Sequence, residues 1–184
     1  MRFIAVLVLA CFCTVSSQAQ DTAAPEEPQT KVGAFIAKEG TVIVRGFSKI
    51  GTVKGSYGTS VTVEAHEAID AGSGTKVLGI QVEVASGERS RTTYVDYDEI
   101  ESLIKGLNYI EGLDASVTQM SDFQADYRTA DDLEFSTYTY KGDVKFAAKS
   151  GRIASVTAFL NISDIAKIKD LLVQAKAELD ALQA

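Results

Sequence analysis

The sequence predicts an α+β protein that is built around antiparallel β-sheet. Three observations predict this class: hydrophobic residues alternate with a period of two over most of the chain, the period becomes helical at two places, and the same order of elements recurs 65 residues later. We therefore expect two β-β-β-α repeats, at about 59–113 and 121–184. They are predicted to form one continuous antiparallel sheet with both helices packed on one face, related by a pseudo-twofold axis.

The first repeat follows two short extended segments, residues 41–45 between Gly40 and Gly46 and a weaker one at 49–54. Its strands are predicted from alternating apolar residues bounded by glycine turns. They cover residues 61–69, 78–84 and 91–96. A helix follows, and its apolar stripe consists of Ile100, Leu103, Leu107 and Ile110. We expect Asp96 or Asp98 to cap this helix, and Gly106 within it to cost about 1 kcal/mol relative to alanine.

The second repeat has the same order of elements. Its extended segments are predicted at residues 123–127, 133–140, 144–148 and 153–160. A longer helix runs from Ser163 or Asp164 to Leu182, with an apolar stripe that is typical of a helix packed on its own sheet. Ile165 in this helix corresponds to Ile100 in the first. Truncation of either isoleucine to alanine is expected to cost about 2–5 kcal/mol if it is buried.

The amino-terminal segment predicts export. A positive start is followed by an apolar run over residues 3–15, and small residues precede a cut between Ala19 and Gln20. We therefore predict a signal peptide at 1–19, a flexible proline-bearing linker at 20–32 and a single domain at 33–184, in a secreted or periplasmic bacterial protein. A lipid anchor at Cys11 is the alternative. Cleavage after Ala19 would leave no cysteine in the mature chain, and no transmembrane segment is expected there.

The charge of the chain narrows the classes of partner. Of its 184 residues, 18 are Lys or Arg and 25 are Asp or Glu, which gives a net charge of −7. Nucleic acids are bound mainly through neutralisation of their phosphates, and this sequence contains no basic run that could do so. We therefore expect no nucleic-acid partner. The acidity itself is typical of a soluble surface.

Residues that could carry catalysis or bind a metal are few. His66 is the only histidine, and its place on the polar side of a predicted strand indicates a solvated side chain rather than a metal ligand. Asp96, Asp98 and Glu99 precede a helix, and their spacing favours capping over a calcium loop. No glycine-rich loop opens a helix. We expect no cofactor, no bound metal and no catalytic constellation.

Two functional hypotheses from different classes remain open. The first is an exported, non-catalytic domain that binds a partner protein, a polymer or a small ligand through its sheet surface. The second is a hydrolase or isomerase that uses two carboxylates in a cleft between the repeats. Convergence of two carboxyl groups in one deep pocket would distinguish them. A purely structural role in an envelope or matrix is a third alternative.

Tyr138 and Tyr140 are the candidate partner-binding residues. In the predicted strand at 133–140 they alternate with Leu133 and Phe135, and successive side chains of a strand point to opposite faces. If Leu133 and Phe135 face the helices, the two tyrosines face away from them. Tyrosine is enriched at binding surfaces because it combines a rigid apolar ring with a polar tip. The alternative is that both rings only pack across neighbouring strands.

Overall fold

The structure is a computed structural model that describes residues 29–183. These residues form two four-stranded antiparallel sheets and three α-helices. The predicted signal peptide with its cut between Ala19 and Gln20, the cysteine Cys11 and most of the predicted linker lie outside the described residues. Within 29–183, no helix is long and apolar enough to cross a membrane.

The first sheet begins after a short helix, α1, at Lys31–Ile36. Its four strands pair in chain order, each antiparallel to the next. They are β1 at Ile43–Lys54, β2 at Thr59–Asp70, β3 at Lys76–Ser86 and β4 at Arg89–Asp96. Helix α2 at Ile100–Glu111 follows.

The second sheet repeats this meander with shorter strands. They are β5 at Gln124–Arg128, β6 at Leu133–Tyr140, β7 at Asp143–Ser150 and β8 at Val156–Leu160. Helix α3 at Asp164–Ala181 ends the fold. The protein is therefore of the α+β class, with antiparallel sheet as its main component.

Each long helix packs mainly on the sheet of the other half. Helix α2, which follows the first sheet, contacts β5 and β6, whereas α3, which follows the second sheet, contacts β1, β2 and β3. The two helices also contact each other, and the ammonium group of Lys169 bonds to Asn108 (2.8 Å) and to Glu111 across this contact. The expectation that α3 packs on its own sheet is wrong, and so is the expectation that both helices pack on one face of a single sheet.

The expected single sheet is also wrong, because β8 does not extend the first sheet but lies against β2, β3 and β4 of it. The strands of the first sheet are up to 12 residues long, so their apolar face is larger than one helix can cover. The second sheet covers the remainder. One continuous core results, and Ile100 and Ile165 are both fully buried in it, as the sequence predicts.

Two local predictions differ from the structure near the start of the fold. The two extended segments expected on either side of Gly46 are one 12-residue strand, whose pairing is interrupted by a bulge between Lys49 and Gly51. The end of the predicted linker forms α1, and Val32 in it is buried. A Cβ atom at Gly79 would lie 2.6 Å from Val32 Cγ2, so the missing side chain of this glycine makes room for α1.

Candidate functional site

A pocket of about 490 Å³ lies between the two halves of the molecule. One wall is the turn between β1 and β2, the opposite wall is the turn between β6 and β7, and the end of β8 also lines it. Five aromatic side chains line this cavity, which we call the aromatic pocket. Those of Tyr57, Tyr138, Tyr140 and Phe159 reach the solvent, whereas that of Phe146 is buried in the core. Its volume is within the range of about 300–1,000 Å³ that is typical of ligand pockets.

Tyr138 and Tyr140 lie on the outer face of the second sheet. Leu133 and Phe135, on the other side of the same strand, are fully buried in the core, whereas Tyr138 is half-buried and Tyr140 is 55% exposed. The orientation therefore follows the alternation in the sequence. The structure places both tyrosines in the aromatic pocket, and whether they bind a partner stays a prediction.

Tyr57 is the most exposed of the aromatic residues in the pocket. Its side chain is 90% accessible, and its backbone has a φ of 57°, in the left-handed region that a bulky residue seldom adopts. The turn that carries it is fixed to the second half, since Thr59 Oγ1 donates to the carbonyl oxygens of Ser56 (2.7 Å) and Phe159 (3.2 Å). Backbone strain with an exposed ring is a feature of many binding sites.

Phe159 connects the two walls of the pocket. Its ring meets that of Tyr57 edge to face, with 6.5 Å between the centroids and 84° between the planes. It lies on the outer side of β8, opposite the buried Ala158 and Leu160, and is 44% exposed. Since Phe159 belongs to the second half and Tyr57 to the first, the pocket is complete only when the halves are packed together.

Polar groups of both signs accompany the rings. Lys145 pairs with Asp143 at 3.0 Å, whereas the ammonium nitrogen of Lys141 lies 5.3 Å from the ring centroid of Tyr140. None of the carboxylates in residues 29–183 forms an ion pair with Lys141. Asn161 adds an amide at the end of β8. The pocket thus carries more positive than negative charge on a chain whose net charge is −7.

The turn between β6 and β7 fixes the position of Lys141. Tyr140 pairs with Asp143 across a two-residue turn, in which Lys141 and Gly142 have φ angles of 54° and 82°. Such a turn matches the twist of the flanking strands and forms a tight hairpin. The side chains of Tyr140 and Lys141 therefore project from a rigid element into the solvent beside the pocket.

The pocket lining contains one carboxyl group, that of Asp143, among the residues that the structure describes. In the same part of the chain, no cluster of three or more His, Cys, Asp or Glu side chains could hold a metal ion. What the site does offer is flat apolar ring surface together with hydroxyl, amide, carboxylate and ammonium groups. This combination can bind a ligand by stacking and hydrogen bonding.

His66 is not the solvated residue that the sequence predicts. Only 6% of it is exposed, because the ring of Phe47 stacks on it at 5.7 Å and the ring of Tyr94 meets it edge to face at 6.0 Å. Its Nε2 atom lies 3.3 Å from a carboxylate oxygen of Glu64, and its Nδ1 atom has no partner among the described residues. Burial lowers the pKa of His66, with Arg45 adding to this and Glu64 opposing it.

The acidic residues before α2 have structural partners. Asp96 does not cap α2. Instead it accepts hydrogen bonds from the backbone N–H groups of Lys31 and Val32, each at 2.9 Å, and so caps α1. Asp98 pairs with the ammonium group of Lys31. The carboxylate of Glu99 accepts from the backbone N–H of Ala130 at 2.9 Å, and burial raises its pKa.

Comparison of this chain with family models, with curated proteins and with solved structures found no match. Of the aromatic residues that reach the solvent in the pocket, the sequence pattern indicates Tyr138 and Tyr140 but not Tyr57 and Phe159. Tyr57 stands between Gly55 and Gly58, and an aromatic residue within a glycine-bounded turn is the signal that could have identified it.

Proposed function

We propose that this protein is an exported, non-catalytic domain that binds its partner through the aromatic pocket. One observation carries the proposal: Tyr138 and Tyr140, which the strand alternation directs away from the core, line the same cavity as Tyr57 and Phe159. Three of these four rings are more than 40% exposed. Exposed aromatic side chains that converge on one cavity are typical of recognition sites.

The backbone segments that carry the aromatic residues of the pocket are held in place by hydrogen bonds. Tyr138 and Tyr140 extend from a strand that is paired on both sides, and the turn with Tyr57 is bonded to the β8 backbone. Little conformational entropy is lost when a ligand contacts side chains that are already held in place. The apolar residues at 3–15 and the small residues before Gln20 support export.

An internal duplication is the second part of the proposal. Both halves have four strands in the same meander order followed by a helix, and the corresponding Ile100 and Ile165 both lie in the core. A pseudo-twofold relation between the halves would account for this.

The double variant Tyr138→Ala/Tyr140→Ala tests the binding role. We expect it to lose capture of partners from the native exported fraction while its melting temperature stays close to that of the unchanged protein. The matched control is Tyr109→Ala, which removes a tyrosine that is 68% exposed on α2, outside the aromatic pocket. The control should retain both capture and stability.

A large fall in the melting temperature of the double variant would show that the tyrosines serve the packing of the sheet. Equal capture by the double variant and the control would contradict the binding role of the pocket.

A further inference from the structure

The aromatic pocket is partly open to solvent. Tyr57 and Tyr140 project from turns of different sheets and are 90% and 55% exposed, so neither ring closes over the cavity. A small ligand usually has most of its surface buried in its pocket. A pocket that is partly open, with rings on both walls, instead suits one or a few units of a longer chain, because the rest of the chain can continue into the solvent.

Strand addition by a peptide is disfavoured at this site. Strands β6 and β7 are each paired on both sides, and β8 is the edge strand of the second sheet. Along that edge the carbonyl oxygen of Phe159 already accepts a hydrogen bond from the hydroxyl of Thr59. A peptide that binds by main-chain pairing needs an unpaired strand edge, whereas the rings and side-chain polar groups of the aromatic pocket are accessible to a ligand.

A saccharide ring matches that set of groups. A pyranose has an apolar face of C–H groups that packs on an aromatic ring and a rim of hydroxyls that need hydrogen-bond partners. The rings of Tyr57, Tyr138 and Phe159 supply the apolar contacts. Asp143 and Asn161 supply acceptors and donors for the hydroxyls at the same cavity.

The charge of the pocket specifies the saccharide further. Lys145 is already paired with Asp143, but Lys141 has no carboxylate partner in the described part of the chain, and its ammonium group lies beside the Tyr140 ring. A carboxylate on a sugar that stacks in the pocket would pair with this ammonium group. We infer that the ligand is an acidic polysaccharide, bound as a short run of uronic-acid units. The inference rests on the proposed function above.

Isothermal titration with saccharides of defined composition tests it. The acidic probes are oligomers of galacturonate, of alginate and of hyaluronan, and each neutral probe is the same oligomer after reduction of its carboxyl groups. We expect at least one acidic oligomer to bind about tenfold more tightly than its neutral counterpart, since a charge-assisted hydrogen bond distinguishes them. That difference should shrink with added salt.

Two variants assign the contacts. Lys141→Gln should reduce the affinity for the acidic oligomer to that for the neutral one. Tyr57→Gly removes a ring at a backbone position that suits glycine, so it should weaken binding of both oligomers about tenfold without unfolding the turn. The matched controls are Lys105→Gln and Tyr109→Ala, which change exposed residues of α2 outside the pocket and should bind as the unchanged protein does.

Three outcomes would overturn the inference: equal binding of acidic and neutral oligomers, tighter binding of an oligoglutamate peptide, or no binding of any saccharide. If partner capture still depends on Tyr138 and Tyr140 in these cases, the proposed function stands and only the ligand class is wrong. If capture is also unaffected by the double tyrosine variant, the proposed function fails with it.

Discussion

The two halves of the molecule share a strand order but differ in size. The first sheet has strands of 12, 12, 11 and 8 residues, and the second has strands of 5, 8, 8 and 5. The helix that follows the larger sheet has 12 residues, whereas the helix that follows the smaller sheet has 18. Because the helices exchange sheets, the longer helix covers the larger sheet and the shorter helix the smaller one.

This exchange follows from the dimensions of the elements. A 12-residue helix is about 18 Å long, close to the length of the strands in the second sheet, and an 18-residue helix is about 27 Å long. Strands of 12 residues extend to about 40 Å, so α3 covers only part of the first sheet, and β8 packs on the remainder. The halves are therefore interlocked, and each needs the other to bury its apolar face.

The outer faces of the two sheets differ as well. On the first sheet, α1 covers part of the outer face, and His66 is buried beside it between Phe47 and Tyr94. On the second sheet, the corresponding face carries Tyr138 and Tyr140 at the open pocket. The outer faces of two sheets of one topology therefore differ: α1 covers part of the first, and the second carries the aromatic pocket.

The largest expected effect comes from truncating the two corresponding isoleucines. We expect Ile100→Ala and Ile165→Ala each to lower the free energy of unfolding by about 2–5 kcal/mol, because both side chains are fully buried. Chemical denaturation measures this loss. Hydrogen exchange distinguishes the sheets: loosening α3 with Ile165→Ala should increase exchange in β1–β3, and loosening α2 with Ile100→Ala should increase it in β5 and β6.

The reverse pattern of exchange, with each variant affecting the sheet of its own half, would contradict the exchange of helices. Val173→Ala, at an exposed position of α3, is the control and should change neither stability nor exchange by much.

A smaller effect is expected at the contact between α2 and the second sheet. A Cβ atom at Gly106 would overlap the ring of Tyr127 on β5. Alanine is the better helix former by about 1 kcal/mol, but an overpacked contact costs about 1–3 kcal/mol. We therefore expect Gly106→Ala to lower the unfolding free energy by about 1 kcal/mol overall. Thermal denaturation checks this, with Gly112→Ala as the comparison, since a Cβ atom there would meet only the carbonyl oxygen of Tyr109, at 3.8 Å.

A stabilised Gly106→Ala protein would show that helix propensity outweighs the Tyr127 contact. The double variant Gly106→Ala/Tyr127→Ala is expected to have a lower unfolding free energy than the unchanged protein in either case, because the ring of Tyr127 no longer packs on α2.

The smallest expected effect concerns His66. Burial lowers its pKa in the folded state, so the unfolded state takes up the proton first as the pH falls. The contribution of His66 to stability is therefore complete above the unfolded-state pKa, which is about 6.5, and is lost as the pH decreases through the lower folded-state pKa. Urea denaturation between about pH 5 and about pH 8 should show this dependence, and His66→Gln should weaken it.

An identical pH dependence in the unchanged protein and in His66→Gln would show that another group, such as Glu99, is responsible. Tyr94→Ala sharpens the test. Removal of the Tyr94 ring exposes the imidazole of His66 to solvent. The pKa of His66 should therefore return toward its ordinary value, and less stability should be lost at low pH.

Local patterns in the sequence were sufficient to predict most elements of this fold. The alternation of apolar residues identifies β2, β3, β6 and β7, and the helical spacing of Ile100, Leu103, Leu107 and Ile110 identifies the buried stripe of α2. These patterns work because the side-chain period of an element is set by its backbone geometry alone. The same alternation places Tyr138 and Tyr140 on the face opposite to Leu133 and Phe135, which are buried in the core.

The apolar patterns of the sequence do not predict how the elements pack against one another. That β1 continues through Gly46, that α1 forms at the end of the predicted linker and that Asp96 caps it all depend on contacts between residues distant in the chain. The burial of His66 likewise depends on Phe47 and Tyr94 from neighbouring strands. Periodicity indicates which side of a strand is polar, but not what another element places over it.

The sequence by itself determined the α+β class, the two helical stripes and the opposite orientation of Tyr138 and Phe135, because each depends on the local period of the chain. Only the tertiary structure decided that there are two sheets, that the helices exchange between them and that Tyr57 meets Phe159 in a pocket. The physical reason is that apolar burial is not directional. An apolar stripe on a helix or an apolar face of a sheet must be covered, but the pattern does not specify which element covers it. The lengths of all the elements together decide that.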